Sequence, residues 1–299
     1  MGEAGRESRD GGWSGDAMTV QTTKTLPSAV PDAEELSAKA RKRRSDERNL
    51  VSALRIVVVV LVLATMFALN AGFGSLTMPK PSDVLVESWK MWTNGTMLRG
   101  LGQTLTVLSL GFLLAAVTGI LGGIFLGGFR IAGRVFDPFV NAINATPGSA
   151  FIPLFIVWFG LYTEAKVVVV WNAALFPILI STAAGIDHSD SDLVEMGRSF
   201  GASRAELFWQ VMLPNAVPSI LSGLRIGAAV AVVGTVVSEF YMAQSGLGGM
   251  LASAGNRFQM ERYFAVVIVL MALGTLITGL LRFAESRIAR WRVSLRDAR

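Results

Sequence analysis

The chain has 299 residues, 52% hydrophobic and only 16% charged, with a net charge of +5 and a mean hydropathy of +0.51. Soluble domains carry about a quarter charged residues, so composition excludes an ordinary soluble enzyme or binding domain. The lack of cysteine excludes disulfides and thiolate metal sites.

Residues 1–50 are rich in Gly, Ser, Asp and Arg, show no apolar period, and are expected to form a disordered, basic cytoplasmic tail ending in RKRRSDER. Six apolar runs follow, at 52–71, 104–127, 139–160, 166–186, 217–238 and 263–283. Each is near or above the roughly 20 residues that a helix needs to cross the hydrocarbon core. The chain therefore reads as an all-α integral membrane protein of six transmembrane helices. The first segment, 51–72, carries ALNA at 68–71 in the manner of a signal peptide. Its basic leader is too long, and its apolar stretch exceeds the usual core of about 7–15 residues, so a retained helix is expected. Basic residues flank the spans and form no water-facing patch, which argues for membrane orientation and against nucleic acid. One side holds Arg41–Arg44, Arg130, Arg134, Arg198, Arg204 and the basic tail 286–299; the other keeps only Lys80, Lys90, Arg99, Lys166, Arg257 and Arg262. Both termini and the loop 187–216 are expected in the cytoplasm.

In chain order, residues 82–98 with Trp89 and Trp92 suit an interfacial helix. Gly119, Gly123 and Gly127 recur at intervals of four, as do Gly223 and Gly227. Small residues so spaced let helices approach closely, and static packing is the favoured reading. Pro147 and Pro153 break the third span, loosened by Gly148, with Asn141, Asn144 and Thr146 nearby. Broken membrane helices are tolerated where the freed backbone faces protein or a wet cavity, which leaves a pathway lining and a packing kink both open. The sequons at Asn94 and Asn144 read as accidental. His188 is the only histidine, so a solvated loop residue beside Asp187 is favoured over a metal site.

The stretch EMGRSFGASRAELFWQVMLP, 195–214, lies between two spans on the cytoplasmic side. Asp190 or Asp192 can cap a first short helix, with Glu195 completing a box from Asp192. Gly201 suits the left-handed residue that ends it. Ser203 and Glu206 form a second capping box, S-R-A-E, opening a helix through Met212 that Pro214 stops. Phe200, Leu207, Phe208 and Val211 are expected to give this elbow one apolar side. An interfacial loop dipping into lipid is the plainer alternative. Arg225 reads as a snorkelling residue in preference to a substrate contact. Glu239, a carboxylate at the outer end of a span and within reach of water, is open to either gating or packing.

The spacing Glu195-Met196-Gly197, Gly201, Val211-x-Leu213-Pro214 resembles the E-A-A-x3-G-x9-I-x-L-P loop of ABC-importer permeases, with Met196, Gly197 and Val211 as departures. MPKPSDVLVESW, DPFVNAINATPGSAFIPLFIVWFGLYTEAK, GLRIG and SGLGGML resemble the branch that imports nitrate, sulfonates, taurine and pyrimidine precursors. The resemblance implies a type I permease domain over 97–285 in the bacterial inner membrane, surrounded by lipid. It also implies a coupling loop of Glu195, Gly197, Gly201, Ser203, Glu206, Val211, Leu213 and Pro214 that fits a groove of a cytoplasmic ATPase. The implied partners are two such ATPase subunits, a second permease copy and an extracytoplasmic solute-binding protein. Residues 246–258 look like the family's outer gate, although clustered glycines there also suit a flexible turn; with the broken third span and the carboxylate of the fifth, the candidates for pathway or gate are Asn144, Pro147, Pro153, Glu239, Gly246 and Gly248. The family usually has a further proline or bulky apolar residue around Gly148-Ser149, and this chain does not.

No glycine-lysine pair followed by Ser or Thr occurs, so no phosphate-cradling loop is present. ATP and Mg are thus expected on the partner, with no cofactor, metal or catalytic residue on this chain. An ion-gradient-driven carrier would favour internal repeats and mid-membrane carboxylates. A membrane enzyme would need a nucleophile with its base or a metal cluster. Neither pattern is evident. The expected function is the permease subunit of an ATP-driven importer for a small anionic solute of the sulfonate, nitrate, taurine, pyrimidine-precursor or aromatic-acid class.

Overall fold

The computed structural model describes residues 33–73, 78–188, 191–242 and 245–288. Every regular element among them is helical. Helix α1 (Ala33–Phe73) contains an apolar candidate span, Leu50–Gly72. It begins inside the segment expected to be an unstructured tail, because AEELSAKARKRRSDER is dense in Ala, Glu, Lys and Arg, all good helix formers.

The chain divides within α1, and residues from Leu61 onward, with all the remaining helices, form one compact unit. Helix α2 (Pro81–Thr93) exposes Trp89 and Trp92 while burying Val84 and Met91. It is shorter than the expected 82–98, because Gly95 turns the chain at φ +74 and Asn94 Oδ1 accepts the Thr96 amide. Helix α3 (Thr96–Gly128) starts there, earlier than the expected 104.

Helices α3, α6 (Thr163–Asp187) and α9 (Leu213–Met242) make the core. Val107, Leu108, Ala115, Val170, Ala174, Ile178 and Ala231 are buried together there. The glycines permit this closeness. A Cβ at Gly123 would lie 2.5 Å from Thr182 Cβ, and one at Gly119 would lie 3.0 Å from Ile178 Cβ. On α9, Gly223 faces Ser181 and Gly227 faces Ile178 at 2.6 Å each. Glycine stripes on both flanking helices thus receive the side chains of α6, the packing role expected of them. Around this core, exposed Leu, Val and Phe side chains such as Leu113, Leu121, Val233 and Leu276 suit a lipid surround.

The third apolar run is not a straight span. It divides into α4 (Arg130–Ala145), a tight turn at Gly148–Phe151 and α5 (Ile152–Phe159), with the pair bent by 87°. Pro147 supplies no amide at the break, and Pro153 occupies the first turn of α5, where its missing N–H costs nothing. Five described helices are long and apolar enough to cross a membrane, or six if the bent pair is one span. Helix α10 (Gly246–Asn256) and α11 (Met260–Ile288) complete the unit.

Candidate functional site

Between α6 and α9, α7 (Ser191–Ser199) and α8 (Arg204–Leu207) form the expected elbow. Gly201 sits at φ +79. Its amide donates to Arg198 O at 2.9 Å, and the Ala202 amide donates to Gly197 O at 3.1 Å. That pair of bonds is the Schellman closure of a helix C-terminus. Two residues on, Ser203 opens α8: Glu206 N donates to Ser203 Oγ at 3.3 Å, and Ser203 N donates to Glu206 Oε2 at 2.7 Å. These bonds hold the exposed Glu206 carboxyl below the ordinary carboxylate range, the Ser203 amide contributing most. The two helices are pressed together: a Cβ at Gly197 would lie 2.5 Å from Leu207 Cδ2, and Leu207 is buried.

Three expectations for this stretch need correction or fall away. Pro214 does not stop the second helix. The chain passes through a π-helical turn, Phe208–Met212, directly into α9. A π turn widens the helix just ahead of the proline, which lacks the amide for the bond four residues back and whose ring needs room there. Nor do the apolar side chains share one face. Leu207 points inward, Phe208 packs near Gly128, and Val211 is half-buried with Leu213 and Pro214. The exposed apolar groups are instead Met196, Phe200 and Trp209, of which Phe200 is 85% exposed. As for the first cap, Asp190 and the side chain of Asp192 lie outside the described residues; Asp192 itself falls within α7, and Glu195 is exposed.

At the other end, Glu239 is fully buried and does not reach water. Its Oε2 accepts from Thr104 Oγ1 and from Gly248 N, both at 2.9 Å. Thr104 Oγ1 also accepts the Leu247 amide at 2.8 Å, and Gln103 Oε1 accepts the Gly246 amide at 2.9 Å. Side chains from α3 and α9 thus satisfy the first three amides of α10, groups no helix can satisfy internally. A carboxylate is also favoured at a helix N-terminus by the helix dipole. Gly246 lies at φ +79, and any Cβ there would collide with the Glu239 carboxylate. A Cβ on Gly248 would fall 2.5 Å from Val236 O. Glu239 Oε1 has no hydrogen-bond partner among the described residues.

The structure therefore joins Glu239, Gly246 and Gly248 in one constellation, but not the other pathway candidates. Asn144 and Pro147 are exposed at the bend, and Pro153 belongs to the start of α5. Arg225 is paired with Glu285 of α11 at 2.9 Å. His188 is exposed, with Nδ1 2.8 Å from Ala184 O, and no group of three metal-ligating side chains occurs among the described residues. Sequence reasoning missed Gln103, Thr104, Ser245, Trp209 and above all Lys166, which is 2% exposed and donates to Ser245 Oγ at 2.6 Å. An isolated cation in TEAKVVVV was the available signal for it, since ionisable residues in apolar spans are functional candidates.

Comparison with known proteins agrees with this architecture. The chain is 29% identical over 278 residues to the putative aliphatic sulfonates transport permease protein SsuC of Bacillus subtilis, covering 93% of this chain and 99% of that one. It is 29% identical to the taurine transport system permease protein TauC of Escherichia coli, over 82% of this chain and 90% of the relative. In fold it is similar to an inward-facing structure of the MetNI methionine ABC transporter, with a TM-score of 0.55 and 23% identity over 65% of this chain and 94% of that chain. The family model described as binding-protein-dependent transport system inner membrane component matches residues 119–290, more than half of the sequence, and the chain belongs to that family.

Proposed function

We propose that two copies of this chain form the pathway of an ATP-driven importer for a small anionic solute. A cytoplasmic ATPase receives the elbow 195–214, and an extracytoplasmic binding protein delivers the solute. The observation that carries this reading is the elbow itself. It is closed by a Schellman turn and a complete capping box, yet it leaves Met196, Phe200 and Trp209 exposed on the surface of the chain. Exposed aromatics on a rigid mount are what a docking surface needs, since such anchors dominate interface energetics. A connector between spans needs neither feature.

The coupling residues are Glu195, Gly197, Gly201, Ser203 and Glu206, with Val211, Leu213 and Pro214 carrying the motion into α9. ATP and Mg belong to the partner, and both termini and the loop 187–216 lie in the cytoplasm. The permease domain runs over 97–285, between the first span and the basic tail 286–299. The solute class rests on the sulfonate and taurine relatives. A shift of the pathway from 1:99 to 99:1 requires about 5.5 kcal/mol of differential binding, and a capped elbow can transmit such a load.

The test is reconstitution. With its ATPase and binding protein, the complex should accumulate solute only with ATP, and loaded binding protein should stimulate hydrolysis. Uptake that continues without any ATPase and collapses with a proton or sodium gradient would instead establish a secondary carrier.

A further inference from the structure

Lys166 stands one turn into α6, where a lysine ordinarily extends its ammonium to water. Here the side chain turns inward, 2% exposed, and donates to Ser245 Oγ. Both residues form part of the wall of a cavity of about 510 Å³, bounded also by Phe159, Tyr162 and Thr163, with the exposed Glu164 at its rim. The volume is of the size that holds a small solute. A lysine ammonium has three protons to donate, and among the described residues its hydrogen-bond acceptor is Ser245. Glu239 attracts it electrostatically; that carboxylate's Oε2 is held by Thr104 and Gly248, while its Oε1 has no hydrogen-bond partner among the described residues. An ammonium with protons beyond its bond to Ser245 can take a further oxygen from an anion in the adjoining cavity.

We propose that this cavity is a transit site for the anionic head group of the solute, with Lys166 and Ser245 binding a sulfonate or carboxylate oxygen. Phe159 and Tyr162 offer apolar surface to the body of the solute. Glu164 at the rim opposes a second negative group and favours monoanions over dianions. Ser245 is also the residue at the N-cap of α10. An anion held there therefore touches the start of the helix that Glu239 secures. The site rests on the reading of the chain as a permease for an anionic solute.

The experiment uses the transporter purified with its ATPase in phosphatidylcholine nanodiscs, which excludes anionic lipid as the ligand. Tryptophan fluorescence and thermal unfolding are followed while ethanesulfonate, methanesulfonate or acetate is titrated at constant ionic strength. Ethyl methyl sulfone serves as the neutral near-isostere of ethanesulfonate. A saturable response to the anions and none to the sulfone is expected. Lys166→Gln should raise the half-saturating concentration about tenfold or more, the loss of one charge-assisted bond. Lys166→Arg and Ser245→Ala should weaken binding less, and Glu164→Gln should leave monoanion binding in place. An unchanged response in Lys166→Gln, an equal response to the sulfone, or no response to any of the anions overturns the proposal. Should Lys166→Gln fail to reach the membrane, wild-type affinity in both Lys166→Arg and Ser245→Ala overturns it equally. A complex that hydrolyses ATP in response to loaded binding protein yet ignores the anions sinks this site alone. A chain that retains no ATPase sinks the permease reading beneath it.

Discussion

Valine at position 201 separates backbone conformation from packing at the elbow. Gly201 lies at φ +79, and a Cβ built there meets nothing within 4 Å. The entire penalty of Gly201→Val is therefore conformational, about 1–2 kcal/mol for an L-residue in the left-handed region, and more for a β-branched one. That energy raises the population of the opened elbow by a factor of about 5–30. The spans do not depend on this turn, so the variant should reach the membrane at wild-type levels. It should retain less ATPase on co-purification, hydrolyse ATP without coupling, and lose uptake. Gly201→Asn is the matched control, because asparagine tolerates the left-handed region, and it should transport nearly as wild type. If valine and asparagine behave alike at equal membrane levels, the turn's conformation is irrelevant and the segment is only a connector.

At the start of α10, Glu239→Ala strips acceptors from the buried Gly248 amide and Thr104 hydroxyl, each costing about 1–3 kcal/mol when unsatisfied. A lowered unfolding temperature is expected, with Glu239→Gln much closer to wild type because an oxygen remains; equal losses in the two would discredit the hydrogen-bond account. Gly123→Leu should prevent α3 from seating on α6, where even a Cβ would come within 2.5 Å of Thr182, and abolish stable expression; Gly102→Leu, at a position with nothing within 4 Å, should be tolerated. Reporter tags at either terminus or within 187–190 should read as cytoplasmic and those at 243–244 as external, and termini on opposite faces would end the six-span topology.

Much of the molecule was legible before any coordinates. Apolar runs of membrane-spanning length report themselves, because lipid demands a continuous helix with its backbone satisfied internally. Caps and turns are equally local. Gly201 must be glycine or nearly so wherever φ is positive, and Ser203 bonds Glu206 only three residues away. The turn and second cap of the elbow were therefore readable, but the burial of its apolar side chains was not, nor was the fate of Pro214. There the outcome depended on a π turn absorbing the proline, a choice imposed by continuity with α9.

The constellation around Glu239 was not readable, because its members are distant in the chain. Thr104 and Glu239 are 135 residues apart, and Lys166 and Ser245 are 79 apart. Nothing in the sequence around Glu239 says whether water or the amides of another helix will solvate it. That is decided when the glycines of α10 let its backbone come close to the carboxylate. Local propensity sets which segments are helices and where they turn. Only the packing of α3, α6, α9 and α10 determines which charges lose their water, because desolvation belongs to an assembled interior and not to any one segment.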